Sequence, residues 1–250
     1  MRIAVLAHMH YAIRPPYAGG LEMHTDLTVD HLVRLGHEVT VFAKEGTRTA
    51  GTVVPLVAED FDPTVRTEQD VVRRRTVLVT AMTEACRQVR DGDFHVVLNN
   101  SLSPVPLLEL RETPMVTVLH TPATLTEVLA VLDDPAWTPP PNHRWLSVSA
   151  ANALAWNHRL PRIAVVANGI EHSHWHSTVE PVPGRAVWTG RITGEKGLHL
   201  AIEAARIAGL ELHFAGPISD RDYYRDAVEP LLGEDTVYRG HLGHGQLPDL

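Results

Sequence analysis

The sequence has almost no cysteine and no excess of positive charge, and each shortage excludes a class of protein. Cys86 is the single cysteine among 250 residues, so an intrachain disulfide is excluded and a reducing compartment is favoured. The formal net charge of −8 argues against a nucleic-acid partner, because nucleic-acid surfaces require a basic face. Cys86 lies among apolar residues at helical spacing, which predicts a buried hydrophobic position rather than a nucleophile.

Long apolar runs are also missing. No stretch approaches the length of a bilayer crossing, and the opening MRIAVLAHMHY is too short and too soon polar for a signal peptide. No basic amphipathic stretch supports attachment to a membrane surface. Hydrophobic residues make up 44% of the chain and charged residues 21%, which is ordinary for a globular protein. We therefore expect a cytoplasmic protein of one or two domains.

Short β-branched runs alternate with longer helical patterns, which predicts an α/β fold. The expected strands of the first part are RIAVLAH, EVTVFA, HVVLNN, MVTVLH, RWLSVS and RIAVVAN. Leucines recur at roughly helical spacing up to Gly36, and residues 67–90 carry an amphipathic pattern long enough for one continuous helix. Continuous apolar strands separated by helices indicate a parallel sheet covered on both faces.

The alternation breaks near Gly169 and then restarts. The stretch after Gly169 has no clear period and is closed by two prolines, which predicts a linker. RAVWTG, LELHFAG and TVYRG then alternate with the helical patterns KGLHLAIEAARIAG and RDYYRDAVEPLLG. The expected regions are a first domain at residues 1–168, an interdomain linker at 169–184 and the start of a second domain at 185–250.

The segment WTGRITGEKG, residues 188–197, is a candidate phosphate-binding loop. It lacks the Gly-Lys-Ser/Thr ending of a Walker loop and the spacing of the G-x-G-x-x-G fingerprint. It places Arg191 and Lys196 beside a predicted helix N-terminus, where backbone amides and the helix dipole favour an anion. Arginine can bind two oxygens at once and lysine acts as a point charge, so the pair suits a diphosphate. Two solvated loop cations are the alternative interpretation.

The earlier segment RPPYAGGLE contains Gly19 and Gly20 at the start of another predicted helix. Glycines at such a position let the backbone approach a ligand and leave amides free to donate. A plain flexible turn fits the same residues. Glu22, in the first turn, is suited to complement the helix dipole.

Four segments together resemble the retaining GT-B glycosyltransferases of the large "group 1" class, family four. They are GGLE…HLVRLGHEVTVF, VLHTP, VANGI and GRITGEKG, and they occur in the family's order over nearly the whole chain. The resemblance implies two Rossmann-like parallel-sheet domains facing a cleft, with a nucleotide sugar on the second domain and the acceptor mainly on the first. It implies a retaining transfer of sugar from a UDP- or GDP-sugar to a hydroxyl acceptor, without a cofactor.

By this resemblance, Arg191 and Lys196 hold the leaving diphosphate, while Gly19 and Gly20 line the cleft beside the distal phosphate and the transferred sugar. His120 matches the histidine that lies against the donor sugar, at a strand end where open α/β sheets place ligands. The further candidates are Asn99, Asn100 and Thr121 on the acceptor side, and His241 and Leu242 on the base side.

The implied mechanism is a front-face substitution, in which the acceptor hydroxyl attacks from the side that the diphosphate leaves. A departing phosphate oxygen takes its proton, and the two cations with the helix terminus replace a metal. The family's pair of glutamates, seven residues apart in a serine- and glycine-rich stretch, does not occur here, so we expect an incomplete second domain. A non-catalytic nucleotide-sugar-binding subunit or fragment is one alternative. A GT-B nucleotide-sugar epimerase is another, and it would require paired carboxylates for acid and base work.

Histidines also occur outside these segments. The stretch EHSHWHS places His172, His174 and His176 at alternate positions, which a strand would bring to one face. The surrounding pattern is irregular, so a metal site is disfavoured. His8 and His10 follow the first predicted strand and are expected to line the cleft.

Overall fold

The computed structural model describes residues 1–177, 179–243 and 245–250. The chain divides into two compact units, Met1–Gly169 and Ile170–Leu250, and each is built on its own parallel sheet. The predicted α/β fold with parallel sheets is confirmed. In the described part of the chain, no helix is both long enough and apolar enough to span a bilayer.

The first unit is a seven-stranded sheet. Its strands are β1 (Arg2–Leu6), β2 (Glu38–Lys44), β3 (Thr52–Val57), β4 (Val96–Asn99), β5 (Met115–Leu119), β6 (His143–Ser147) and β7 (Ile163–Val165). They pair in parallel in the order β3-β2-β1-β4-β5-β6-β7. The chain runs outward from β1 in one direction and outward from β4 in the other. The sheet therefore has a topological switch point between β1 and β4.

Helices that connect these strands begin and end at recognisable signals. They are α1 (Gly20–Arg34), α2 (Glu68–Asp91), α3 (Val105–Glu109), α4 (Thr126–Leu132) and α5 (Ala150–Trp156). Before α2, the Thr67 hydroxyl accepts a hydrogen bond from the Asp70 amide, and the Asp70 carboxylate accepts one from the Thr67 amide. After α1, Gly36 has a φ of 81°, in the left-handed region that favours glycine. The two longest predicted helices are thereby confirmed.

Strand β1 is buried on both faces of the sheet. Ala4 and Leu6 pack into one core, and Ile3 and Val5 pack into the core on the opposite face. This alternation follows from the two-residue period of a strand, and it explains the continuous apolar run near the N-terminus. Cys86 is fully buried in the first of these cores, where burial raises the pKa of its thiol to about 12. The predicted buried position of this cysteine is confirmed.

Strand β3, with the sequence TVVPLV, has no counterpart in the sequence prediction. It lies at one end of the strand order, beside β2. Pro55 has no backbone N–H, and an edge strand tolerates this because one of its sides is unpaired in the described sheet. The proline thus hid a strand that the fold accommodates at its edge.

The second unit has a three-stranded parallel sheet in the order β10-β9-β8. Its strands are β8 (Arg185–Thr189), β9 (Glu211–Ala215) and β10 (Thr236–Tyr238), and α6 (Leu198–Ile207) connects β8 to β9. Leu198, Ile202 and Ala205 form the buried face of α6. Short 3-10 turns lie at His172–His174, Gly194–Lys196 and Leu247–Asp249.

The continuous helix expected after β9 is broken into three kinds of turn. They are α7 (Arg221–Tyr223), a π-helical turn (Tyr224–Val228) and a 3-10 turn (Glu229–Leu231). Asp220 caps the start, since its carboxylate accepts a hydrogen bond from the Tyr223 amide at 2.9 Å. Pro230 cannot donate a backbone hydrogen bond, and it sits where regular α-helix would have to continue.

Candidate functional site

The carboxyl ends of β1, β4 and β5 collect polar side chains in the first unit. His8 and His10 follow β1, Asn100 follows β4 and His120 follows β5. Open α/β sheets bind ligands at strand carboxyl ends beside a switch point, which here lies between β1 and β4. The switch-point site, as we name this cluster, consists of His8, His10, Glu22, His24, Thr25, Asn100 and His120.

Helix α1 turns a polar face toward this site. Glu22 and Thr25 are 4% and 1% exposed, and together with Val29 they follow the i, i+3, i+7 spacing of one helical face. Glu22 Oε1 lies 3.4 Å from His8 Nδ1. The Glu22 carboxylate therefore contacts a specific side chain, in addition to lying in the first turn of the helix.

His120 is held from two sides. Its Nε2 lies 3.2 Å from Asn100 Oδ1, and Asn100 Nδ2 donates to Thr25 Oγ1 at 3.2 Å. Because the amide nitrogen of Asn100 is engaged with Thr25, its oxygen faces His120 and the His120 Nε2–H is the donor. The His24 ring meets the His120 ring edge-on, with ring centroids 4.8 Å apart. These contacts fix both the position and the tautomer of His120.

Burial keeps this pair of histidines neutral near pH 7. It lowers the pKa of His120 to about 4, with further lowering from His24 and His8. Burial also lowers the pKa of His24. A neutral His120 whose Nε2–H is donated to Asn100 has its Nδ1 lone pair left to accept a hydrogen bond from a ligand hydroxyl.

His8 and His10 extend the contacts of Glu22 in the other direction. His10 Nδ1 contacts His8 Nε2, while His8 Nδ1 faces Glu22. Burial lowers the pKa of His10 to about 3, and the charges of His8, Arg74 and Lys44 lower it further. A buried carboxylate and two imidazoles thus form a chain that ends in a neutral ring.

Asn99 and Thr121, two of the predicted acceptor-side residues, turn inward. Asn99 is 3% exposed, donates to Thr117 Oγ1 at 3.2 Å and accepts from the Ser101 hydroxyl at 2.6 Å. Thr121 Oγ1 is buried with no hydrogen-bond partner in the described chain. Both residues line a cavity of about 30 Å³. Asn100 is the residue of this predicted set whose side chain contacts His120, and acceptor contact by any of the three stays a prediction.

Gly19 and Gly20 lie where α1 begins. Gly19 is the N-cap residue, and no side chain caps the helix there. A Cβ atom at Gly19 would come 3.1 Å from Glu22 Oε2, whereas one at Gly20 would meet no heavy atom within 4 Å. Gly19 therefore leaves room for the Glu22 carboxylate, and Gly20 leaves an open approach to the backbone.

The loop between β8 and α6 carries the two predicted phosphate-binding cations. Its 3-10 turn joins α6 through Gly197, whose φ of 67° lies in the left-handed region that favours glycine. Arg191 pairs with Glu195 at 3.1 Å. Lys196 is exposed and makes no ion pair with the described residues. We call this segment, residues 190–197, the cationic loop.

Most backbone amides at this end of α6 are engaged, although the sequence indicated free ones. The Lys196 and Gly197 amides donate to carbonyls of the turn, and the His199 amide donates to the Tyr223 hydroxyl at 3.2 Å. The Leu198 amide has no acceptor among the described residues. Charge on the side chains and the helix dipole, more than a set of free amides, therefore defines the anion-binding character of the loop.

The predicted base-side residues follow β10 in the second unit. His241 is exposed, and Leu242 is partly buried. Leu242, Arg239 and Arg185 line a hollow of about 380 Å³ within this unit. Binding of a nucleotide base there stays a prediction.

The histidines of EHSHWHS do not lie on a strand. His172–His174 form a 3-10 turn, and the rings of His172 and His176 have centroids 6.2 Å apart. The side chain of His174 lies outside the described residues. Across the residues that the structure describes, no group of three histidine, cysteine or acidic side chains is placed to hold a metal ion.

Three residues of these sites were not predicted from the sequence: His24, Thr25 and Arg74. A signal for Thr25 existed, because its spacing from Glu22 and Val29 marks a helical face that is polar near the N-terminus and apolar beyond it. Nothing in the sequence separates Arg74 from the arginines on either side of it. The packing of α2, which places Arg74 in the wall of a groove, is what distinguishes this residue.

Comparison with protein families places most of the first unit in a known group. The model described as "Glycosyltransferase Family 4" matches residues 18–174. This range includes all of the switch-point site except His8 and His10. No curated protein matches the chain significantly.

Solved structures with similar folds have low sequence identity to this chain. AviGT4, a glycosyltransferase involved in avilamycin A biosynthesis, superposes with a TM-score of 0.59 at 16% identity, over 97% of this chain and 64% of AviGT4. UGT89C1 of Arabidopsis thaliana, solved with UDP-L-rhamnose and with quercetin, gives TM-scores of 0.46 at 12% and 13% identity, over 96% of this chain and 69% of UGT89C1. The chain thus spans less than two thirds of AviGT4. The likeness to AviGT4 agrees with the predicted GT-B class of fold.

Proposed function

The chain belongs to Glycosyltransferase Family 4, and on that premise we propose that it transfers a sugar from a nucleoside-diphosphate sugar to a hydroxyl acceptor. The proposed donors are UDP- or GDP-sugars, and the proposed outcome is retention of the anomeric configuration. The observation that carries this proposal is the family match over residues 18–174. That match covers the α1, β4 and β5 portions of the switch-point site.

In the second unit, we assign the leaving diphosphate to Arg191 and Lys196. The Arg191 guanidinium offers a planar fork for two phosphate oxygens, and Lys196 supplies a mobile point charge. The N-terminus of α6 adds a positive dipole end beside them. The diphosphate gains negative charge as its bond to the sugar breaks, so these groups stabilise the transition state more than the bound donor.

The ion pair between Arg191 and Glu195 is compatible with this role. The side chains are 39% and 64% exposed, respectively. Exposed ion pairs contribute only about 1 kcal/mol or less. A diphosphate carries more charge than one carboxylate, so Arg191 is expected to exchange Glu195 for phosphate oxygens when the donor binds.

In the first unit, we assign hydroxyl groups of the sugar to the switch-point site. His120 is fixed by Asn100 and has the Nδ1 lone pair as an acceptor. Its neutrality, caused by burial, suits hydrogen bonding to a hydroxyl better than attraction of a phosphate. The backbone at Gly20 is open on the side where a Cβ would project, which leaves space for close approach of a ligand.

The proposed reaction is a front-face substitution. The acceptor oxygen forms a bond to the anomeric carbon on the face from which the diphosphate departs, and the bond from that carbon to the diphosphate oxygen breaks. The departing phosphate oxygen takes the proton of the acceptor hydroxyl. The products are the glycoside and the nucleoside diphosphate, and the protein contributes charge stabilisation and positioning.

Product analysis with the full chain tests this proposal. The chain is incubated with UDP- and GDP-sugars and a panel of hydroxyl acceptors, and products are followed by chromatography and NMR. Release of the nucleoside diphosphate with a glycoside of the donor's anomeric configuration is expected. An inverted glycoside would overturn the retaining assignment, and an epimerised donor would favour the epimerase. Donor binding without turnover would favour a non-catalytic subunit.

A further inference from the structure

A groove opens in the first unit beside the switch-point site. It has a volume of about 480 Å³ and lies between α2, the start of α4 and the loops that follow β1 and β4. This volume falls in the range of pockets that hold small molecules. Its apolar wall includes Val71, Leu78, Val79 and Met82 of α2 and Val128 of α4. One small molecule with an apolar body would bury that body here.

The groove also contains a cation, Arg74, that has no partner among the described side chains. Arg74 lines it, is partly buried, and makes no hydrogen bond or ion pair with the described residues. The adjacent arginines are engaged, since Arg75 pairs with Glu127 at 3.0 Å and Arg73 lies over the Phe61 ring at 5.9 Å. A partly buried guanidinium in a chain of net charge −8 has many carboxylates that could have paired with it. Arg74 is instead left to meet an anion in the groove.

The end of the groove nearest β1 is formed by the switch-point site. His8 and His10 line it there. Arg74 is close enough to His10 for its charge to help lower the pKa of that ring. The neutral imidazole and the guanidinium therefore line the same groove. A hydroxyl can hydrogen-bond to the imidazole while an anionic group meets the guanidinium.

The loop after β4 forms a further wall and is conformationally strained. Leu102 lines the groove with a φ of 59°, in the left-handed region that non-glycine residues rarely adopt. Such strained residues cluster at ligand-binding sites, where the surrounding structure holds them in place. Buried Ser101 precedes it and is tied to Asn99 by a hydroxyl hydrogen bond of 2.6 Å.

We propose that this groove is the acceptor subsite and that it takes a compact apolar molecule carrying one hydroxyl and one anionic group, with Arg74 binding the anion. The role as an acceptor subsite rests on the proposed glycosyl transfer. Binding of the small molecule to the groove, however, requires no nucleotide sugar. The charge of Arg74 and the apolar wall favour binding of a small hydroxy acid over binding of a neutral sugar. Arg74 is thus a specificity-determining residue.

Fluorescence titration of the full chain tests the charge requirement. The probes are a hydroxynaphthoate and the matching neutral hydroxynaphthamide, which differ in charge but hardly in shape. The wild-type chain is expected to bind the acid at least about tenfold more tightly than the amide, the size of one charge-assisted hydrogen bond. Arg74→Gln is expected to remove this difference. Arg73→Gln, one residue away over Phe61, is the matched control and is expected to preserve it.

A second pair of variants tests the location. Val79→Trp places a large ring in the groove wall and is expected to weaken binding of both probes. Val72→Trp lies on the same helix at a 65% exposed position that does not line the groove, and it is expected to change neither affinity.

Binding of neither probe by the wild-type chain, or equal affinity for both, would overturn the inference. Retained preference for the acid in Arg74→Gln would overturn it as well. Tight acid binding in a chain that transfers no sugar would refute the proposed reaction and leave the groove intact as a binding site.

Discussion

The switch-point site and the cationic loop differ in the burial and in the charge of their side chains. The first consists of buried and partly buried side chains that fix one another, such as His120, Asn100 and Thr25. The second consists of exposed charges, with Lys196 unpaired among the described residues and Arg191 in a surface ion pair. Burial lowers the pKa of His10, His24 and His120, whereas the two loop cations lie at exposed or partly exposed positions.

This difference indicates two modes of recognition within one chain. A neutral, fixed imidazole selects ligands by the direction of hydrogen bonds, so changes of shape there are expected to matter most. Exposed cations select by charge, so the loop is expected to respond to salt and to loss of charge. Variants that remove charge from the loop or change shape at the switch-point site separate these two modes.

Loss of either loop cation is expected to have the largest effect. Lys196→Ala and Arg191→Ala should each lower turnover roughly a hundredfold or more, because each removes a donor aimed at developing charge. Steady-state turnover of the full chain measures this, and the circular dichroism spectrum checks that the fold survives. Arg225→Ala is the control, since Arg225 pairs with Asp222 and Asp226 in the same unit. Near-normal turnover in both loop variants would end the assignment.

A pair of glycine variants is expected to give a smaller effect that depends on shape. Gly19→Ala puts a methyl group 3.1 Å from Glu22 Oε2, so the buried carboxylate must shift and turnover should fall several-fold. Gly20→Ala meets no protein atom and should leave the free energy of unfolding equal or raised by about 0.5–1 kcal/mol. Chemical denaturation and turnover are measured for both. A turnover loss in Gly20→Ala at unchanged stability would indicate that a ligand approaches this backbone.

Acid stability provides the most specific effect. The pKa of His120 is lowered to about 4 in the folded chain and is near 6.5 when unfolded. Between these values the unfolded chain binds more protons, so the free energy of unfolding falls as the pH drops from about 6.5 to about 4. His120→Asn is expected to make that decline shallower. The control is His158→Asn, at an exposed position, which is expected to leave the decline unchanged. An equally steep decline of the free energy of unfolding in the wild-type chain and both variants would contradict the assignment of a neutral, largely buried His120.

The parts of the fold that were predicted from sequence are those with strong local signals. The apolar alternation gave the parallel sheet, and Gly36 marked the end of α1. Strand β3 was missed because Pro55 argues against a strand until the edge position is known. The break in the helix after β9 was missed because the amphipathic pattern continues on both sides of Pro230, although a proline there argues against one continuous helix.

The candidate site was less accessible to sequence reasoning than the fold. The contact between His24 and His120 joins residues almost a hundred positions apart, and the sheet order alone brings them together. The pairing of Arg191 with Glu195 has the i, i+4 spacing of a helix, yet its exposure depends on the 3-10 turn. Arg74 could not be distinguished from its neighbours in the sequence, because it differs from them in having no partner among the described residues, which is a property of packing.

The most direct test of the account is calorimetric titration of the wild-type chain and Lys196→Ala with UDP and GDP. The account predicts that the wild-type chain binds at least one nucleotide, that added salt weakens this binding, and that Lys196→Ala weakens it at least about tenfold. Absence of binding to both nucleotides, or equal affinity in the two chains, would contradict the claim that the cationic loop holds a nucleoside diphosphate.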